Sequence, residues 1–241
     1  MRSNQIPALV TVSVLTSSWL MPGIANAASI SVSSEIEPTI ADFETAVTID
    51  QFNPSLGNLD SLTFELTGIV EAFAGVENLS DAATVITADL NALLQLQDPN
   101  GLTLVQTAPA AIASTELLAF DQAIDFAGPS GVVFPILADN ASNIQTFTLS
   151  DGLDFSPFVG DSTIDLIFLA DINFPIGSAG DTPLETTTLV TAAGELTVTF
   201  NFTELESVAP SVSVPEPMAA LISGLVICLG LATHKPQLQS E

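Results

Sequence analysis

The chain has 241 residues, of which 28 are acidic, only 2 are Lys or Arg and 47% are hydrophobic, so its formal net charge is −26. This length suits one domain with short additional segments, and the apolar content predicts a folded chain, because disordered chains combine high charge with low hydrophobicity. Nucleic-acid binding is excluded, since neutralising phosphates requires Lys and Arg.

The residue types that carry most chemistry are missing from the middle of the chain. Residues 28–213 contain no Lys, Arg, His, Cys, Trp, Tyr or Met, but they hold 26 of the 28 acids and all 14 Phe. There is therefore no thiol nucleophile or imidazole base, and no ligand set for zinc, copper or haem. We expect no enzymatic activity and no cofactor, with calcium as the one ion that such an acidic chain suits.

The N-terminus has the layout of a secretory signal. A basic residue near the start is followed by an apolar-leaning stretch at 6–21. Small residues at Ala25 and Ala27 then occupy the −3 and −1 positions before Ala28. This pattern predicts a helical signal peptide over residues 1–27, which signal peptidase removes. The alternative is an uncleaved anchor helix.

The middle of the chain alternates apolar and polar residues with period two. Such alternation predicts half-buried antiparallel strands, and Gly, Pro, Asn and Asp punctuate the runs as turns. We therefore predict an all-β domain over residues 28–206, an antiparallel β-sandwich of the jelly-roll or Ig-like kind. The one helix candidate in this domain lies near 110–120. The clearest alternating runs are 62–67, 86–97, 164–174 and 196–203.

Three motifs in this region occur in a characteristic order. They are FNPSLGNL at Phe52–Leu59, ENLS at Glu77–Ser80 and FDQAIDFAGPSG at Phe120–Gly131. Together they resemble the choice-of-anchor E domain, a bacterial surface module found with alternative C-terminal anchors, over roughly residues 40–206. The resemblance implies a surface protein and brings no catalytic residues. The alternative interpretation of the motifs is turn chemistry, with Phe side chains filling the core.

A turn-rich stretch further along contains the candidate metal ligands Asp151, Asp154 and Asp161. Calcium takes carboxylate and carbonyl oxygens, so these three residues are the predicted calcium site. The EF-hand pattern is absent. The alternative is a set of solvated acids that share divalent ions loosely.

The C-terminal part begins with a predicted extended linker at 207–213. Val214, Pro215, Glu216 and Pro217 follow, and two prolines around one acid cannot continue a helix. The apolar run 218–233 comes next. As a helix it would be about 24 Å long against a hydrocarbon core of roughly 30 Å, so segment 214–241 is predicted to hold a short membrane helix.

This arrangement, with His234 and Lys235 after the apolar run, resembles the PEP-CTERM sorting signal. In that family an exosortase, an integral membrane cysteine enzyme, is thought to cut near the motif and release the protein. The resemblance implies two processing partners, signal peptidase and an exosortase-type protease. The alternative is an uncut single-span anchor.

Together these features predict a non-enzymatic protein of the cell surface or extracellular matrix, with exopolysaccharide or biofilm as its neighbour and a transient or permanent membrane anchor. The alternative function is a calcium- or glycan-binding adhesin module on a single-span anchor. A calcium-dependent rise in melting temperature would favour that alternative.

Overall fold

The computed structural model describes residues 11–15, 26–180 and 182–205, with backbone only for residues 11–15. All of them belong to the first of two units, which ends at Glu206. The described residues form eleven strands and one short 3-10 turn, without an α-helix. The strands are β1 Thr11–Leu15, β2 Ala27–Ile40, β3 Phe43–Asp50, β4 Gly57–Asn78, β5 Thr84–Gln97, β6 Thr103–Thr107, β7 Ala110–Leu117, β8 Gly131–Thr148, β9 Thr163–Asn173, β10 Ile176–Ser178 and β11 Leu184–Glu204, and the 3-10 turn is Ser156–Phe158.

The strands form two antiparallel sheets. The first has the order β1-β2-β11-β4-β8, and the long β4 and β11 pair from Gly57–Glu204 to Asn78–Leu184. The second has the order β10-β5-β9-β3, with β6 and β7 also paired to β5. One core cluster contains the inward faces of both sheets. The prediction of an all-β, antiparallel, sandwich-like fold is therefore confirmed.

The period-two pattern also identified the inward faces correctly. Leu62, Phe64 and Leu66 on β4 are fully buried, while Glu65 between them is exposed. Alternate residues on β5, β9 and β11 behave in the same way, because successive side chains of a strand point to opposite faces. The buried residues of these three strands are Ile86, Ala88, Leu90, Ala92, Leu94, Leu96, Ile164, Leu166, Phe168, Ala170, Leu196, Val198, Phe200 and Phe202.

Phenylalanine provides the aromatic packing of the core, both within each sheet and between the first sheet and the connections that carry Phe52 and Phe158. The ring of Phe64 packs edge-on against Phe147 and Phe158, with centroid distances of 6.0 and 5.7 Å. Phe52 from the first motif packs against Phe202 at 5.0 Å. Each large ring removes much apolar area from water, so these contacts contribute strongly to the stability of the domain.

The sequence prediction of a helix near 110–120 is wrong. Ala110–Leu117 form β7, which pairs antiparallel with Thr84–Asn91 of β5. Ala111 and Ala113 pack against the core from this strand. A free edge of β5 offered a full row of hydrogen-bonding partners, and this tertiary pairing outweighs the weak helix propensity of the segment.

Part of the predicted signal helix also forms a strand. Thr11–Leu15 pair antiparallel with Ser29–Ser33 of β2. The sequence TVSVL alternates β-branched residues with polar ones, which favours a strand. The other residues of the predicted signal helix before Asn26, the linker and the predicted membrane helix lie outside the described residues. Within the described part of the chain, no helix has the length and hydropathy needed to cross a bilayer.

Candidate functional site

The end of β4 carries a concentration of buried polar side chains. Glu77 and Asn78 on β4 and Ser130 just before β8 are completely buried. Burying polar groups is costly unless each finds a hydrogen-bond partner. We call these three residues and the segment 118–130 that covers them the Glu77–Asn78 cluster, and it is the candidate functional site.

Asn78 uses its full hydrogen-bonding capacity inside this cluster. Its Nδ2 donates to the carbonyl oxygens of Ala82 at 2.8 Å and Leu118 at 2.7 Å. Its Oδ1 accepts from the backbone N–H of Ser80 at 3.0 Å and the Ser80 hydroxyl at 2.8 Å. The side-chain amide therefore joins the turn after β4 to segment 118–130, since two donors and two lone pairs are all it has.

Glu77 is satisfied at only one of its two carboxyl oxygens. Oε2 accepts from the backbone N–H of Phe126 at 2.8 Å, and the buried Oε1 has no partner among the described residues. Residues 28–213 contain no Lys, Arg or His, so no side chain of that stretch can form an ion pair with the Glu77 carboxyl group. Glu77 lies in the ENLS motif, but nothing in its sequence context distinguishes it from an exposed acid.

Segment 118–130 is shaped by its own acids and by left-handed backbone positions. Asp121 Oδ1 accepts from the N–H of Ala123, and Asp125 Oδ1 from the N–H of Ala127, each at 3.0 Å. Phe126 has a φ of 54°, an uncommon conformation for a large side chain. It brings the Phe126 N–H to Glu77 and its ring over Gly75, where an added Cβ would lie 3.1 Å from the ring. The cluster thus closes over the outer face of β4.

Two of the three sequence motifs meet in this cluster. Glu77–Ser80 and Phe120–Gly131 contact each other through Glu77, Asn78 and Ser130. Phe52–Leu59 lies at the opposite end of β4, which is 22 residues long and hence about 70 Å from end to end at ~3.3 Å per residue. That motif has its own role there, because Phe52 is buried and packs against Phe200 and Phe202.

The predicted calcium ligands lie in the connection between β8 and β9, but two of them are engaged separately. Asp151 Oδ2 accepts from the backbone N–H and the hydroxyl of Thr148, both at 2.7 Å. Asp154 accepts from the N–H and the hydroxyl of Ser156, both at 2.9 Å. Within residues 26–180 and 182–205, no three Asp, Glu, His or Cys come close enough together to hold a metal ion. The calcium site with Asp161 stays a prediction.

These hydrogen bonds act on the acidity of both exposed carboxyl groups. The backbone N–H of Thr148, followed by its hydroxyl, holds the pKa of Asp151 below its ordinary value of 3.8. The backbone N–H of Ser156 and its hydroxyl lower the pKa of Asp154 in the same way. In each case the donor stabilises the ionised form.

The processing residues are only partly within the described chain. Ala27 and Ala28 are the first two residues of β2, and Ala28 packs against the core. Ala25 and the sorting motif of Val214, Pro215, Glu216 and Pro217 lie outside the described residues. Both processing sites therefore stay predictions.

One open groove was not anticipated from the sequence. It has a volume of about 240 Å³ and lies where β2 turns into β3. Aliphatic side chains and polar groups share its lining. Asp42 lies in it and accepts from the N–H of Ile172 at 2.7 Å. Its lining residues are Ile40, Ala41, Asp42, Ile172, Thr188, Leu189 and Val190.

Comparisons with known proteins found no matching protein-family model and no matching curated protein. Solved structures of infectious bursal disease virus match over most of the chain. The structure of the Gt strain covers 83% of this chain and 49% of its own, with 14% identity and a TM-score of 0.15. The VP2 subviral particle covers 80% and 46%, with 15% identity and a TM-score of 0.13. The chain spans about half the length of these viral proteins.

Replacing Asn78 tests whether the cluster holds the domain together. Asn78→Ala leaves the carbonyls of Ala82 and Leu118 without donors, so we expect the free energy of unfolding to fall by about 3 kcal/mol or more. Asn78→Asp keeps the volume but replaces both donors, and we expect a similar loss. Chemical denaturation followed by circular dichroism measures both. The control is Asn140→Ala at an exposed position, and an equal effect there would contradict the assignment.

The lowered pKa values of Asp151 and Asp154 predict a small acid-dependent loss of stability. Because the folded-state pKa values lie below the unfolded ones, the stabilisation is present above the ordinary pKa and is lost as the pH falls through the folded value. A double Asp151→Asn, Asp154→Asn variant should melt lower than the parent at pH 7. The difference should shrink below about pH 4.

Scanning calorimetry from pH 7 to pH 2.5 would follow both proteins. The Asp161→Asn variant controls for the loss of one negative charge in the same exposed connection. A melting difference that stays constant across this range would show that the hydrogen bonds of Asp151 and Asp154 do not favour the ionised carboxylates.

Proposed function

We propose that the chain is an exported, non-enzymatic protein of the cell surface or extracellular matrix. Its N-terminal segment serves as a signal peptide that is cut between Ala27 and Ala28, and an exosortase-type protease reads Val214–Pro217. The domain between these segments is an antiparallel β-sandwich, of the jelly-roll or Ig-like kind, that acts as a structural unit. Exopolysaccharide is its proposed neighbour.

The observation that carries this proposal is that several acidic side chains of the domain bond to backbone N–H groups in turns. Asp98, Asp121, Asp125 and Asp154 each accept from the backbone N–H two residues further on, which is the geometry of an Asx turn. These carboxylates hold loops in place, whereas a glycosidase uses a pair of carboxyl groups that flank the bond it cuts. This arrangement favours a structural role over catalysis.

The outer faces of the sheets favour a polysaccharide as the neighbour. Cross-strand hydroxyl pairs line them, including Ser31 with Thr199 at 2.8 Å and Thr63 with Thr146 at 2.9 Å. Hydroxyl groups both donate and accept hydrogen bonds, so these rows can bond to sugar hydroxyls without a charge on either side. The further pairs are Ser33 with Thr197, Thr67 with Ser142 and Thr87 with Ser114.

The intact mass of the protein recovered from its native host tests the processing. We expect a chain that begins at Ala28 and ends near Pro217. Such a product contains no Lys or Arg, so trypsin should leave it uncut even when it is unfolded in denaturant. The control is the unprocessed chain, which trypsin can cut after Arg2. A product that retains the apolar run 218–233 in the membrane fraction would contradict sorting by an exosortase.

The calcium-binding alternative is favoured by one specific observation, that Asp151, Asp154 and Asp161 lie in the same connection. A specific site should raise the melting temperature with calcium far more than with magnesium, since a ligand at 100 times its Kd contributes about 2.7 kcal/mol. The effect should disappear in the triple Asp→Asn variant. A structural domain with diffuse acids should respond equally to both ions and retain that response in the variant.

A further inference from the structure

The edge of the first sheet at β2 is occupied by a segment that the proposed processing removes. Thr11–Leu15 pair there with Ser29–Ser33. Signal-peptide cleavage after Ala27, as proposed above, would remove β1 from the protein. The inference therefore rests on the proposed function. After cleavage, β2 becomes the outermost strand of the sheet order β2-β11-β4-β8.

The hydrogen-bonding groups of this edge point away from the domain. The N–H of Glu204 donates to the carbonyl of Asn26, and Thr203 lies opposite Ala27. In an antiparallel ladder, the residues that exchange bonds with a given neighbour alternate. Residues 28, 30 and 32 therefore bond to β11, while the N–H and C=O groups of residues 29, 31 and 33 face the open edge.

Nothing in this segment blocks the approach of another strand. Residues 27–34 read AASISVSS and contain no charge and no proline, and these are the features by which proteins usually protect an edge. The charges and the proline of β2 lie outside this stretch, at Glu35, Glu37 and Pro38, and the register of β2 with β11 shifts beside them, between Ala192 and Gly194. The opposite edge, β8, has the same kind of arrangement. Pro135 and Asp139 lie in its first half, its register with β4 shifts between Ala72 and Ala74, and residues 140–148 carry no charge.

The sequence of β1 indicates which partner fits the edge. Read against residues 33 to 29 of β2, β1 presents Thr-Val-Ser-Val-Leu. If a second β2 pairs antiparallel about a two-fold axis at Ser31, it presents Ser-Ile-Ser-Val-Ser to the same positions. Four of the five positions then carry the same or a closely similar residue. A second copy of β2 therefore fits the position on the sheet edge that β1 occupies.

We propose that the processed protein forms a symmetric dimer in which the β2 strands of two copies pair through residues 29–33. Ile30 and Val32 keep their places against the core, and the serine hydroxyl row continues across the two-fold axis. A C₂ interface of this kind is closed and does not propagate. Five residue pairs bury less than the ~1,200 Å² of a stable interface, so the dimer is weak and strengthens as salt screens the acidic surfaces.

The test uses the chain from Ala28 to Leu205, which contains the whole core from Val32 to Phe202. We expect sedimentation velocity to show the mass doubling as the protein concentration rises to about 1 mM, since a small interface binds weakly. The doubling should occur at a lower protein concentration in about 0.5 M NaCl than in 0.05 M NaCl. Ser31→Pro removes an outward N–H and the hydroxyl pair with Thr199, but it leaves the backbone bonds to β11, because proline is tolerated where the N–H faces away from the sheet. We expect this variant to stay monomeric with an unchanged circular dichroism spectrum.

A cysteine at the two-fold position fixes the register. Ser31→Cys places two thiols on Cα atoms about 5.5 Å apart in the dimer, within the range for a disulfide. The tested chain has no other cysteine, since Cys228 lies beyond it. We expect mild oxidation to cross-link this variant at least tenfold faster than Ser150→Cys at an exposed turn. Equal rates, or a folded parent that stays monomeric at 1 mM, would overturn the inference.

The failure of the proposed function would look different. If the protein from the native host does not begin at Ala28, cleavage is refuted, while the chain from Ala28 to Leu205 can still dimerise in solution. If the native product begins at Ala28 but the edge does not pair, only the dimer is refuted. Dimerisation of both the parent and Ser31→Pro would place the contact on another surface and would also overturn the inference.

Discussion

The lack of any cation in residues 28–213 is the constraint on which the rest of the structure depends. Carboxylates in a folded protein are usually balanced by Lys, Arg or His, and here that option does not exist. Backbone N–H groups take the place of basic side chains, and hydrogen bonds to an ionised acceptor are among the stronger ones. Eight carboxyl groups accept from at least one backbone N–H, namely those of Asp42, Glu77, Asp98, Asp121, Asp125, Asp139, Asp151 and Asp154.

This solution ties the acids to the loops. A carboxylate that bonds to an N–H two to four residues away fixes a turn. Asp98 does this with the N–H groups of Asn100 at 2.9 Å and Leu102 at 2.8 Å, and Gly101 between them takes a positive φ. The same bond leaves that carboxylate less free to converge with others on one ion. Asp154 illustrates the competition, because Ser156 engages both of its oxygens. Acidic side chains thus serve local folding in this part of the chain.

The sequence predicted the strand faces well and the candidate site poorly, for one physical reason. Alternation records which face of a strand is buried, so Leu62, Phe64 and Leu66 could be assigned directly. By the same alternation Glu77 belongs to the outer face of β4, together with Phe73. It is buried only because Phe126, 49 residues later, closes over that face. β7 was missed because its alternating Ala, Ile and Ser residues give little hydrophobic contrast. The ENLS motif marked the location of the cluster, but a motif does not reveal which of its members is buried.

Charge also decides where copies of this domain can approach each other. Two molecules of net charge near −26 repel one another over most of their surfaces, and close contact favours a neutral stretch. Residues 27–34 of β2 carry no charge, and neither do the neighbouring residues 196–203 of β11, so this corner of the sheet offers little repulsion to a second copy. It is also the corner that β1 covers. In the proposed processing, cleavage after Ala27 removes β1 and opens this neutral stretch of the edge, so cleavage would govern when two copies can meet.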